Sequence, residues 1–228
     1  INFGNRTLGE CAQWPDLLRI VRERVKAERD NLPDSAAARQ LQNEWWKFFR
    51  PRFELYEAIA PLKRCLVTSQ VTKHLVFSFQ PTDRVFSHKL YVFPLDHYTA
   101  FTTLQSRVHT SWAWLLSSTL GTTLNYSASD CFETFPFPYA DPRAQIPELE
   151  KTGQALYEAR AEYMVRTNQG LTKTYNALKD PKNTDRDILQ LRKLHEAMDR
   201  AVLNAYGWKE LQVPPFCPKN ESEQAALK

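Results

Sequence analysis

The stretch KHLVFSFQ, residues 73–80, alternates Leu75, Phe77 and Phe79 with His74, Val76 and Ser78. A period of two sends successive side chains to opposite faces, so the stretch predicts a strand with one apolar face. The runs on either side, KRCLVTSQV (63–71) and RVFSHKLYVFP (84–94), are equally rich in β-branched and aromatic residues. Between two of them, QPTDR (80–84) holds a Pro and an Asp and suits a turn. Three strands of a small sheet are expected between Lys63 and Pro94.

Outward from this sheet the period changes to that of helices. On the N-terminal side, Pro15 stands at a first helical position, and Leu18, Val21 and Val25 recur at helical spacing. A second helix is expected to run to Arg50, break at Pro51, and resume with Leu55, Ile59 and Leu62 on one side. The aromatic block Trp45, Trp46, Phe48 and Phe49 reads as a packing wedge rather than a ligand cage. On the C-terminal side Asp96 suits a helix cap, and Phe101, Leu104, Val108, Trp112 and Leu115 form one stripe with Arg107 and His109 on its borders. The polar stretch SSTLGTTLNYSASD (117–130) reads as a loop, with a short strand at 123–126.

Beyond Pro138 two long helices are predicted as an antiparallel pair. The first starts at Pro147, carries Leu149, Leu156 and Tyr163, and ends before Gly170. The second is capped by Asp185, carries Ile188, Leu191, Leu194, Met198, Val202 and Ala205, and stops at Gly207. The tail after Trp208 is Pro-rich and then polar, and its end is expected to fray.

Composition narrows the chemistry. With 43% hydrophobic residues in 228, the chain can bury a core. The four cysteines, at 11, 65, 131 and 217, form no C-x-x-C pair and suit reduced thiols. No apolar run approaches the ~18 residues of a membrane span and no apolar leader opens the chain, so a soluble, cytoplasmic protein is expected. A first residue of Ile1 suggests a piece of a longer protein. No glycines are spaced G-x-G, no histidines stand at H-x-x-x-H, and Cys131 beside Glu133 lacks the electropositive setting of a nucleophile. No catalytic constellation, metal site or cofactor site is expected in this chain.

Positive charge, although only +4 net, gathers around the predicted sheet. Arg50, Arg52, Lys63, Arg64, Lys73, Arg84, Lys89 and Arg107 are interleaved with Ser69, Thr72, His74, His88 and Tyr126, which can donate to phosphates or meet base edges. The bland alternative, a solvated basic surface, fits the pattern equally well. The DNA-binding candidates are Lys63, Ser69, Lys73, His74, Arg84, His88, Lys89, Arg107 and Tyr126. Base readers are expected in the polar breaks 80–89 and 119–126, while Lys73, His74 and Arg107 suit phosphate or positioning contacts.

Three long motifs carry a family resemblance. WWKFFRPRFELYEAIAPLKRCLVTSQVTKHLVFSF (45–79), LQSRVHTSWAWLLSSTL (104–120) with LNYSASDCFETFPFP (124–138), and GLTKTYNALKDPKNTDRDILQLRKLHEAMDRAVLNAYGW (170–208) resemble the C-terminal half of MmeI-like restriction-modification enzymes of bacteria. In that family an adenine-N6 DNA methylase is fused to its own target recognition domain, often with a nuclease upstream. The resemblance implies a mixed α/β target recognition domain with flanking helices and a helical spacer, with double-stranded DNA and the parent's methylase domain as partners. Its implied boundaries are a helical connector at 1–62, the recognition core at 63–140, the spacer at 141–210 and a tail at 211–228. CFETFPFP (131–138) would be the exit from the core, with Phe132, Phe135 and Phe137 packing the sheet. The Asn-Pro-Pro-Tyr methylase motif and the Gly-rich S-adenosylmethionine loop are absent, VPPFC (213–217) lacking the Asn. The cofactor is therefore expected in the missing methylase domain, and this chain is not expected to methylate DNA by itself. A helical docking module, using the stripes of the last two helices and binding no DNA, is the alternative.

Overall fold

The computed structural model describes residues 1–218, so the expected fraying of the polar chain end lies outside the described residues. Two compact units emerge, one of residues 1–61 with 83–85, the other of 62–82 with the chain from Phe86 onward. No helix among the described residues is long and apolar enough to cross a membrane.

The first unit is helical: α1 (Leu8–Cys11), α2 (Pro15–Val21), α3 (Ala27–Asp30), α4 (Ala36–Asn43) and α5 (Phe53–Ile59), with a π-helical segment, Arg22–Lys26, joining α2 to α3. Thr7 and Glu10 form a reciprocal capping box on α1. Phe3, Cys11, Leu18, Val21 and Trp45 make the core. The helix expected to reach Arg50 stops at Asn43. The Arg29 guanidinium takes the carbonyls of Glu44, Trp45 and Lys47 at 3.3, 3.2 and 2.8 Å. Those oxygens satisfy a side chain instead of continuing the helical ladder, and Trp45 is turned into the core. The aromatic wedge is therefore half realised, because Phe48 and Phe49 remain exposed.

In the second unit β1 (Arg64–Ser69) lies between β3 (Ser78–Pro81) and β4 (Leu90–Phe93), and β6 (Thr123–Asn125) lies between β2 (Val71–Thr72) and β5 (Ser118–Leu120). The mixed α/β class stands, with the strands divided between two small antiparallel sheets. Gln70 is the pivot between them. Its N–H donates to Lys89 O at 2.9 Å in one sheet, and its carbonyl accepts from Tyr126 N–H at 2.8 Å in the other.

The 73–80 stretch pairs as a strand only from Ser78. Upstream, side chains replace the ladder: Thr68 Oγ1 donates to Val76 O at 2.9 Å, Phe77 N–H donates to Gln105 Oε1 at 3.0 Å, and Arg160 Nη2 donates to Phe77 O at 2.8 Å. The alternation survives in burial, since Leu75, Phe77 and Phe79 all enter the core. The stripe from Phe101 to Leu115 belongs to two helices, α6 (Tyr98–Gln105) and α7 (Arg107–Leu116). Ser106, with ψ 159°, ends one and caps the other through its Oγ, 3.3 Å from His109 N. The cap of α6 is His97 rather than Asp96.

The long helices α8 (Pro147–Thr167) and α10 (Arg186–Ala205) are antiparallel, with Arg166 paired to Asp187 at one end and Leu149 packed with Ala201 and Val202 at the other. Between them stands α9 (Leu171–Leu178), which periodicity did not predict. Leu156, Tyr163, Ile188, Leu191 and Met198 join Phe77 and Phe101 in one core across residue 140. These stripes are consumed inside the unit, which leaves neither as an exposed docking face. Gly153 marks the closest approach: a Cβ there would stand 2.0 Å from Thr102 Oγ1 and 2.9 Å from Tyr98 O. Cys131 is buried and 2.8 Å from Ser117 Oγ, while Phe132 meets Phe93 at 4.6 Å and Phe135 meets His109 at 4.6 Å. The 131–138 segment packs the core.

Candidate nucleic-acid interface

The nine candidate residues divide according to what their polar groups already do. Tyr126 is 1% exposed, its hydroxyl 3.0 Å from His109 Nε2, and burial pushes its phenol far up. It is a core residue and presents no group to a base edge. The expected short strand at 123–126 did not tell which way Tyr126 faces; the fold turns it inward. Arg107 is likewise committed. Its Nε donates to Asp199 Oδ2 at 2.6 Å, and its Nη atoms donate to the carbonyls of Pro214 and Pro215. Burial raises the Asp199 carboxyl while Arg107 draws it down. Arg107 ties α7, α10 and the tail segment together.

His74 is buried, with Nε2 2.9 Å from Asn176 Oδ1, and burial pulls its imidazole below the ordinary range. Lys73 Nζ donates to the same Asn176 oxygen at 2.8 Å. Asn176, on the unpredicted α9, thus positions both and was invisible without the tertiary fold.

The remaining candidates in the second unit are exposed: Lys63, Ser69, His88 and Lys89. Ser69 pairs with Leu90, and Lys89 receives Gln70 at its carbonyl, so Ser69, His88 and Lys89 gather at the corner where the chain passes from one sheet to the other. Lys63 stands at the opposite end of β1, beside Thr82. Six residues of strand, at ~3.3 Å each, put about 20 Å between the two ends. Neither Lys63 nor Lys89 forms a salt bridge among the described residues. Arg84 is exposed and belongs to the first unit. In the second unit the polar break 117–130 builds the β5–β6 hairpin, where Gly121 at φ +61° supplies the left-handed conformation of a tight turn. Leu120, Gly121 and Thr122 at its tip are exposed.

No group of three His, Cys, Asp or Glu side chains among the described residues could hold a metal ion. The site offers exposed donors and cations on rigid strand ends, suited to noncovalent contact with an anionic polymer.

Comparison with known proteins places this arrangement. The family model of the MmeI target recognition domain matches residues 3–139. DNA methyltransferase A of Bacillus subtilis (strain 168) is 26% identical over 199 residues, covering 85% of this chain and 20% of that protein. The solved structure of the type IIL restriction-modification enzyme MmeI in complex with DNA has the same fold, with a TM-score of 0.65 at 21% identity over 99% of this chain. It covers 27% of that enzyme, so the chain spans between a fifth and about a quarter of the relatives it matches. With both sheets and the 131–138 exit segment inside the matched residues, the chain belongs to the family of MmeI target recognition domains.

Proposed function

We propose that this chain reads sequence on duplex DNA for a restriction-modification methyltransferase, whose separate S-adenosylmethionine-dependent domain methylates adenine at N6. Recognition lies in this chain and chemistry in the other domain. The observation that carries this role is the family match over 3–139. The exposed donors at both ends of β1 support it from the geometry. At ~3.4 Å per base pair along one strand, 20 Å is about six base pairs, a span over which Lys63 and Lys89 could each hold a phosphate. The β5–β6 hairpin and the segment 82–89 are the proposed base-reading elements, each a loop on a rigid strand.

The proposed division of labour keeps 1–62 as a connector, 63–140 as the reading core, 141–210 as the spacer and 211–228 as a tail. Because α8 and α10 pack into the reading core, the spacer is proposed to brace the sheets as well as to set distance.

The test is selection from a random-sequence duplex pool at two salt concentrations, run on this chain alone and on the chain fused to a methylase domain. Enrichment of one short motif, with affinity falling as salt rises, is expected in at least the fusion. Loss of all sequence preference in both formats would end the proposal.

A further inference from the structure

The second unit contains a cavity of about 720 Å³ between the 73–75 segment, α7, α9, α10 and the tail segment 211–218. None of the exposed strand-end candidates lines it. Its wall is largely apolar, with a few cationic and polar side chains set into it. Lys73 and Lys179 both line it, and neither forms a salt bridge among the described residues. Asp199, an acid in the wall, is neutralised by Arg107 at 2.6 Å.

His195, also in the wall, is 1% exposed and sits in a polarised relay. Arg160 Nη1 donates to the Tyr175 hydroxyl at 3.1 Å, and that hydroxyl directs its own proton to His195 Nε2 at 3.3 Å. The imidazole proton then stands on Nδ1, which has no partner. Burial is the main cause that drives His195 well below its ordinary range; the nearby cations Arg160, Arg107 and Lys179 add to it, and only their part favours an anion. The aromatic rings of Trp114 and Phe216 complete the lining.

We propose that this cavity is a binding site for a phosphate-class oxyanion, held by Lys73 and Lys179 with the buried His195 N–H behind them. Two sources present that chemistry: a backbone phosphate of DNA, which rests on the DNA-reading role above, and a free phosphate or nucleotide.

The test uses the full chain and the Lys73→Gln/Lys179→Gln variant, which changes exposed side chains and leaves the core intact. Thermal unfolding is followed in inorganic phosphate and in chloride at matched ionic strength. At about ten times the dissociation constant, phosphate should raise Tm by about 3–6 °C in the native sequence and by nothing beyond chloride in the variant. An equal shift in both proteins, or none in either, overturns the site. Duplex affinity against salt is measured on the same pair. If the variant also binds duplex more weakly, with a slope shallower by about one, the backbone is the source. If phosphate stabilisation is lost while duplex binding is unchanged, a free anion is the ligand. Duplex binding without any phosphate effect would sink the cavity site and leave the DNA-reading role standing. A phosphate effect without duplex binding by this chain alone would leave the cavity site standing with a free anion as its ligand, and the fusion would decide the DNA-reading role.

Discussion

Cations at the strand ends and cations among the helices of the second unit have opposite fates. Lys63 and Lys89 stand exposed and form no salt bridge among the described residues. Arg160 and Arg192 are buried, and they are spent on the chain itself. Arg160 donates to Phe77 O, Gln105 Oε1 and the Tyr175 hydroxyl, and lies over the rings of Phe101 and Tyr157. Arg192 donates to the carbonyls of Ala177, Leu178, Asp180 and Asn183, closing the C-terminal end of α9. A sequence tally weighs all four alike, whereas burial assigns two to architecture and leaves two for a partner.

The largest effect expected from breaking this contrast is at Arg160. Arg160→Leu strips the buried Phe77 carbonyl of its guanidinium donor and takes one partner each from Gln105 Oε1 and the Tyr175 hydroxyl, and should lower the unfolding free energy by about 3 kcal/mol or more in a denaturant titration. A change below 1 kcal/mol would remove Arg160 from the architectural class.

The buried histidines sharpen the same contrast through pH. His109 is pulled down to about 3 by burial, and His74 and His195 are lowered as well. Between pH 6.5 and 3 the unfolded chain therefore binds protons that the folded chain does not, so stability rises with pH through this window and is lost on acidification. Each fully responding histidine contributes a slope of about 1.4 kcal/mol per pH unit. Asp199, raised by burial, acts in the opposite sense above pH 3.8. Urea midpoints from pH 7 to pH 4 should fall steeply, and His109→Phe should flatten that fall.

A steric probe of the helical side comes next. Gly153→Ala places a methyl against Thr102 and Tyr98, and should cost about 1–3 kcal/mol despite the better helix propensity of alanine. A stabilised variant would mean that α6 and α8 separate freely.

The smallest expected effect on stability is at the strand ends. Lys63→Gln and Lys89→Gln should change it by less than about 0.5 kcal/mol. Each should make the slope of log affinity for DNA against log salt shallower by about one. An unchanged slope in both variants would take the strand ends out of the DNA-binding face.

Much of the helical frame was legible because its signals are local. Pro147 starts α8, Asp185 caps α10 with its carboxylate 2.8 Å from Asp187 N, and Gly207 takes φ +77°, all as the sequence indicated. The failures share one cause. At Glu44–Lys47, at Phe77 and at Ser106 the backbone could have continued its helix or strand, and a distant side chain took its hydrogen bonds instead: Arg29, then Gln105 and Arg160, then Asp199 through Arg107 N. Periodicity cannot register a partner fifteen to ninety residues away. Of the candidate site residues, Lys63, Ser69, His88 and Lys89 lie exposed at the strand ends, while Arg107 and Tyr126 fold inward.

By itself the sequence determined the mixed α/β class, the family, the burial of Leu75, Phe77 and Phe79, and the capped ends of the long helices. Each of these depends on residue type at short spacing. Only the tertiary structure decided which arginines and histidines stay exposed and which hold the core. That choice depends on the desolvation of each charge and the carbonyls within its reach, both set by residues far away along the chain.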